Sequence, residues 1–167
     1  LGMNYAMAEM SVGAAYKVNK NHTIGASPVF AIGSFRTFGL GVFKPFSSDP
    51  DNLTNRGNDY HYGAGARFGW QGKLTDWLTV GAAYTSKIYM TKFDKYKGLF
   101  AEQGRLDIPE NVGAGFVIKP IKKLSLAFDW QRVMYSDVRS IGNPIQNLAV
   151  ASGFLGETDG AGFGWQD

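Results

Sequence analysis

The residues with chemistry to offer are few, and their spacing argues against catalysis. His22 falls on a polar turn and His61 on an alternating strand, so neither belongs to a metal-ligand spacing. No Gly-x-Ser-x-Gly elbow is present. Gly63-x-Gly65 and Gly113-x-Gly115 lack a third glycine and a following helix, which argues against a dinucleotide site. They read as small side chains on strongly curved strands. The chain has 0 cysteines, so disulfides, thiolate metal sites and a cysteine nucleophile are excluded. Asp49 and Asp51 could hold a divalent cation with surface lipid, though a solvated loop is the better reading of them. The sequence predicts no enzyme, no cofactor and no resident metal.

Binding chemistry is easier to find. Between Tyr89 and Ile108 lie Tyr89, Met90, Phe93, Tyr96, Leu99, Phe100, Leu106 and Ile108. That is an odd apolar density for a connection, where solvated residues are expected. Two readings stay open: a capture site or pocket wall for an apolar molecule, or a loop that packs on itself or on a plug. Arg67 and Lys87, which alternation puts on the polar side of their strands, could attract a carboxylate. A charge network that stiffens the wall is the other reading for both. On these grounds we take Tyr89, Met90, Phe93, Tyr96, Leu99, Phe100, Leu106, Ile108, Arg67 and Lys87 as the candidate substrate-binding residues.

The elements that must position them follow from composition and repetition. The 167 residues include 22 glycines, 14% aromatics and only 19% charged residues. Glycine usually makes up roughly 7% of a protein. Disorder is disfavoured by the aromatic content. A helical span is disfavoured because no run of about 18 apolar residues occurs. The net charge of +3 is scattered, the longest basic run being Lys122-Lys123, so a nucleic-acid partner is excluded. The chain opens at Leu1 without a signal segment and reads as a piece of a longer protein.

Three segments repeat one pattern, an alternating strand, a short polar turn and a second alternating strand. The turns centre near residues 20, 74 and 121, and six strands are expected at 8–19, 22–42, 59–72, 77–90, 110–119 and 123–135. Pro28 marks a kink or bulge in the second. Long polar connections over 43–59, 91–109 and 135–160 alternate with the short turns. Residues i and i+2 share a face. One face carries Tyr60, Tyr62, Ala64, Ala66, Phe68 and Trp70, and the other carries His61, Gly63, Gly65, Arg67 and Gln71. The same parity puts Leu78, Val80, Ala82 and Tyr84 with Leu124, Leu126, Phe128 and Trp130 on the apolar side, and Lys87, Asp129 and Gln131 on the polar side. Tyr60 and Trp70 are separated by roughly 25 Å along the membrane normal, the height of a barrel's apolar band between its aromatic girdles. The small Ala64 and Ala66 at mid-strand argue against a soluble core. The fold class is therefore all-β, an antiparallel transmembrane β-barrel fragment, with residues 1–167 forming one partial barrel domain. Gly162 to Asp167 reads as the opening of a seventh strand. Six strands do not close even the smallest barrel of about eight.

Several stretches are distinctive: Tyr84 to Met90, Phe93 to Gly104, Asp107 to Asn111, Phe128 to Val133 with Tyr135 to Val138, Ile141 to Pro144, and Gly160 to Asp167. They resemble the FadL/OmpP1/TodX family of outer-membrane transport proteins, most clearly over residues 59–167. The resemblance implies a barrel of about 14 strands in the outer membrane of a Gram-negative bacterium. It implies passive uptake of hydrophobic compounds, chiefly long-chain fatty acids, with aromatic hydrocarbons in some relatives. It also implies a monomer in contact with outer-membrane lipid, an N-terminal hatch in the lumen and a sideways exit through the wall. The hatch, the closing strands and the machinery of the sideways exit are expected to lie outside this sequence. An aromatic-hydrocarbon channel, a general porin and a structural or adhesive barrel remain the alternatives.

Overall fold

The computed structural model describes residues 1–149 and 154–167. Among the described residues there are eight strands: β1 Gly2–Ser11, β2 Ala14–Lys17, β3 His22–Phe38, β4 Asp59–Lys73, β5 Leu78–Thr85, β6 Tyr89–Met90, β7 Asn111–Ile121 and β8 Leu124–Val133. All pairings are antiparallel, in the order β1-β3-β4-β5-β7-β8. β2 continues the row of β1 along β3, and β6 continues the row of β5 along β4. The wall is thus six rows wide, and it is a half-barrel with β1 and β8 at its two edges. Short turns join the strands at one end, and the connections 39–58 and 91–110 and the segment after β8 lie at the other. Residues 150–153 of the third expected connection are outside the described residues.

Face parity follows the alternation. Tyr60, Tyr62, Phe68 and Trp70 are exposed on the outer face of β4, beside Phe30, Ile32 and Ile24 of β3. Tyr84, Phe116, Phe128 and Trp130 continue that face across β5, β7 and β8. An outward apolar surface of this size is stable only against lipid. Every backbone group inside that layer must find its partner in the ladder, and neighbouring rows supply it.

Several boundaries differ from those the alternation predicts. The first strand begins at Gly2, not residue 8, and breaks at Val12–Gly13. The break lies opposite Ser27–Pro28, between the pairs Ser11↔Val29 and Ala14↔Ala26. Pro28 has no N–H to give, so the ladder is weakened there. β3 ends at Phe38 rather than 42, where Gly39 turns the chain with φ 82°. The strand expected over 77–90 splits into β5 and β6. Between Arg67↔Thr85 and Ala64↔Tyr89, Gly65 and Ala66 of β4 face Ser86, Lys87 and Ile88, so the row carries one extra residue. Ser86 satisfies the backbone of the bulge: its N–H donates to the Ala66 carbonyl at 2.9 Å, and its Oγ accepts from the Ala66 N–H at 3.0 Å. The segment 162–167 is not a strand; it folds back, with the Trp165 N–H on the Ile141 carbonyl and Asp167 accepting from Ser136.

The bulge turns Ile88 and Met90 inward, where they pack on Val29 and Ala31 of β3. Gly63 and Gly65 make the room. A Cβ on Gly63 would run into the Met90 sulfur, and one on Gly65 would approach Ile88 Cγ1 at 3.0 Å. By contrast, the nearest neighbour of a Cβ on Gly69 is the Ala82 carbonyl at 3.9 Å. Gly63→Val is therefore expected to cost about 1–3 kcal/mol through overpacking, and Gly69→Val to be close to neutral. Thermal unfolding of the two variants, refolded in detergent, checks this.

Candidate functional site

Once Ile88 and Met90 point inward, the rest of the apolar connection follows them. Phe93, Tyr96 and Phe100 are buried against Phe35 of β3, with Leu99 and Leu106 packed on their edge. Tyr96 and Phe100 meet the Phe35 ring edge-on with centroids 4.9 Å apart, a geometry favoured by the ring quadrupoles. Phe93 stacks on the buried His61 ring at 4.0 Å, and His61 Nε2 lies 3.3 Å from the Tyr5 hydroxyl. The Tyr96 hydroxyl donates to the Gly57 carbonyl at 2.6 Å and accepts from the Thr37 N–H at 3.2 Å, so the buried phenol is satisfied on both sides. Ile108 closes the segment by exchanging two backbone bonds with Ile88. The Met90 N–H donates to Asp107 Oδ1 at 2.8 Å.

The candidate residues separate into three groups. Met90, Phe93, Tyr96, Phe100, Leu106 and Ile108 pack this connection onto the wall, and Leu99 joins them at the edge. Tyr89 is 66% exposed on the outer face, paired with Ala64. Arg67 and Lys87 are already engaged. Arg67 lies 3.5 Å from Glu9 and donates to Thr85 Oγ1 at 3.2 Å. Lys87 sits in the bulge and donates to the Asp137 carbonyl at 2.6 Å, with its ammonium 5.9 Å from the Tyr89 ring centre.

A cavity of about 490 Å3 opens between the connections at the long-loop end of the wall. Leu99 and Phe100 are the candidate residues that line it. Phe35 and Thr37 of β3 form its base. Phe43 of the 39–58 connection and Ile145, Leu155 and Phe163 of the segment after β8 complete it. Among the described residues no lining side chain carries a charge. The lining hydroxyls described are committed elsewhere: Thr37 Oγ1 donates to the Gly2 carbonyl at 2.9 Å and Ser140 Oγ to the Arg105 carbonyl at 2.5 Å. The sequence signal for these further lining residues was present. Phe43, Ile145, Leu155 and Phe163 are apolar residues in polar connections, the same anomaly that marks 89–108.

No protein-family model matches the sequence, and no curated protein matches it. Solved structures do. The chain superimposes on the toluene transporter TbuX of Ralstonia pickettii with TM-score 0.58 and 19% identity, over 82% of this chain and 43% of that one. For the toluene transporter TodX of P. putida the values are 0.60 and 18%, over 82% and 43%. For a FadL homologue of Pseudomonas aeruginosa they are 0.57 and 19%, over 82% and 40%. The chain thus spans less than half the length of these structures. The fold is that of a Gram-negative outer-membrane β-barrel. Within that class it is the wall architecture of the FadL/TodX channels.

Burial pushes the Asp107 carboxyl above the usual carboxylate range, against the opposing pull of the Met90 N–H. A raised value means that the folded loop holds the proton more tightly than the unfolded chain does. The stabilisation is complete in acid and is lost as pH rises from the ordinary carboxylate value through the raised one. Asp107→Asn keeps a carbonyl acceptor for Met90 and removes the titration. The wild-type thermal midpoint should fall as pH rises above the ordinary carboxylate value, and the variant should lose that slope.

Proposed function

We propose that this chain is a section of the wall and mouth of an outer-membrane channel for passive uptake of small hydrophobic molecules. Further strands of the same protein close the barrel, and a plug fills its lumen. The observation that carries the reading is the uncharged cavity at the loop end, built jointly by the wall and the folded-in connections. Its volume of about 490 Å3 lies in the range of ligand pockets, about 300–1,000 Å3. An apolar cavity of about 150 Å3 already takes a benzene.

Of the two substrate classes that the resemblance implies, the cavity favours neutral aromatic hydrocarbons over long-chain fatty acids. A carboxylate carried into an uncharged pocket loses its hydration and gains no partner. Neither cation considered for that role lines the cavity: Arg67 is paired with Glu9 and Lys87 is held on the Asp137 carbonyl. TbuX and TodX are described as toluene transporters, which supports the same choice. Uptake of this kind is a binding and diffusion process with no covalent step.

Trp165 provides a native reporter, since its ring lies 5.8 Å from Phe163 of the cavity lining. Toluene titrated into the full-length barrel in detergent should shift Trp fluorescence saturably. Ala161→Phe, which fills the cavity, should weaken binding about tenfold or more; Arg67→Ala should leave it unchanged. Saturable oleate binding that depends on Arg67, without toluene binding, would return the reading to fatty acids.

A further inference from the structure

One guanidinium bridges two connections across the rim of this cavity. Arg139 opens the one-turn helix Arg139–Gly142 in the segment after β8. Its Nε lies 3.8 Å from Glu102 Oε1, and its Nη1 lies 2.9 Å from Asp159 Oδ1. Glu102 belongs to the β6–β7 connection, and Asp159 to the far part of the segment after β8. Each of the three charged residues is adjacent, or nearly so, to a residue that lines the cavity: Ser140 follows Arg139, Phe100 precedes Glu102 and Ala161 follows Asp159. The Ser140 hydroxyl bonds the Arg105 carbonyl, which ties the same two connections a second time.

Glu102 sits in a backbone conformation that does not hold itself. Glu102 and Gln103 have φ of 55° and 60°, and Gly104 follows at 98°. Two successive non-glycine residues in the left-handed region are disfavoured unless their surroundings impose it. The surroundings here are the far segment: the Glu102 N–H donates to the Glu157 carbonyl at 3.2 Å and the Gln103 N–H to the Gly156 carbonyl at 2.8 Å. The turn that carries Phe100 is therefore held in a sprung shape by contacts with the segment that Arg139 clasps. The ion pairs are exposed, with the Arg139 side chain 45% and Asp159 71% accessible, so dissolved salt weakens them.

We propose that Arg139 is the positioning residue of the cavity: through Glu102 it ties the β6–β7 connection to the segment after β8, with Asp159 of its own segment holding the guanidinium in place, and its release widens the mouth of the cavity for an apolar molecule arriving from outside. This rests on the uptake reading above for its purpose, but not for its test. Exposed ion pairs contribute little to global stability, which suits a contact that must break and re-form.

The chain has 0 cysteines, so Ala161→Cys places a single thiol in the cavity of the full-length barrel. Its labelling by N-ethylmaleimide reads opening without any substrate. With Arg139 in place, labelling should be slow and should accelerate about threefold to tenfold from 50 mM to 1 M salt, as the Debye length shrinks from over 10 Å to about 3 Å. Adding Arg139→Ala should give the fast rate at low salt and abolish the salt response; Arg139→Lys should restore part of both. Labelling that ignores salt with Arg139 in place, or that is unchanged by Arg139→Ala, overturns the clasp. A purely structural role would lower the thermal midpoint without making the rate salt-dependent. Toluene binding in parallel separates the two readings. A salt-gated thiol without toluene binding keeps the clasp and removes the uptake reading. Toluene binding with an unresponsive thiol does the reverse.

Discussion

Between Thr85 and Tyr89 the strand row carries one residue more than β4 can pair, and the inner side of this wall follows from that surplus. Alternation along a strand has a period of two, so one extra residue exchanges the faces. Ile88 and Met90 turn inward onto Val29 and Ala31, and Tyr89 turns out to the lipid side. The connection that begins there is consequently aimed at the lumen. Phe93, Tyr96 and Phe100 meet Phe35 and His61 instead of solvent. The bulge is sustainable because Ser86 uses both its amide and its hydroxyl to satisfy Ala66. Gly63 and Gly65 are sustainable for the complementary reason, since they leave the volume that Ile88 and Met90 occupy.

The outer face was legible in the sequence because lipid imposes a regular demand. Each outward position of β4, β5, β7 and β8 must be apolar or small, and that regularity survives into the residue order as Tyr60, Tyr62, Phe68 and Trp70. The inner face follows no such rule, so its irregularities had no periodic trace. Strict alternation from Leu78 places Lys87 in the lumen and carries one strand through to Met90; the bulge breaks that strand and leaves Lys87 on the Asp137 carbonyl. Pro28 announced a disturbance correctly, but the disturbance is expressed in the neighbouring row, at Val12–Gly13, because the missing donor belongs to the ladder between them. The tail looked like a strand from its alternating glycines and aromatics. Gly164, with φ 71°, and the bond from Trp165 to Ile141 send it back over the mouth instead.

The candidate site was half legible for a related reason. The apolar run 89–108 stood out because it is contiguous. The cavity, however, is assembled from three connections that are far apart in sequence, and each contributes only one or a few apolar residues. Phe43 alone is an ordinary surface phenylalanine; beside Phe100 and Phe163 it is a wall. The polar residues near the cavity are spent on holding its parts together, Thr37 on Gly2, Ser140 on Arg105, Arg139 on Glu102 and Asp159. What faces the empty volume is then almost wholly apolar. A site of this composition discriminates by shape and hydration rather than by charge.

We propose above that this cavity receives a neutral aromatic molecule. Crystals of the full-length barrel soaked in iodobenzene would test it most directly, because anomalous scattering locates the iodine without reference to any assumed pose. The account predicts a peak enclosed by Phe35, Phe100 and Phe163, and its disappearance in Ala161→Phe. An iodine peak at another place in the lumen, with this cavity unfilled, would contradict it.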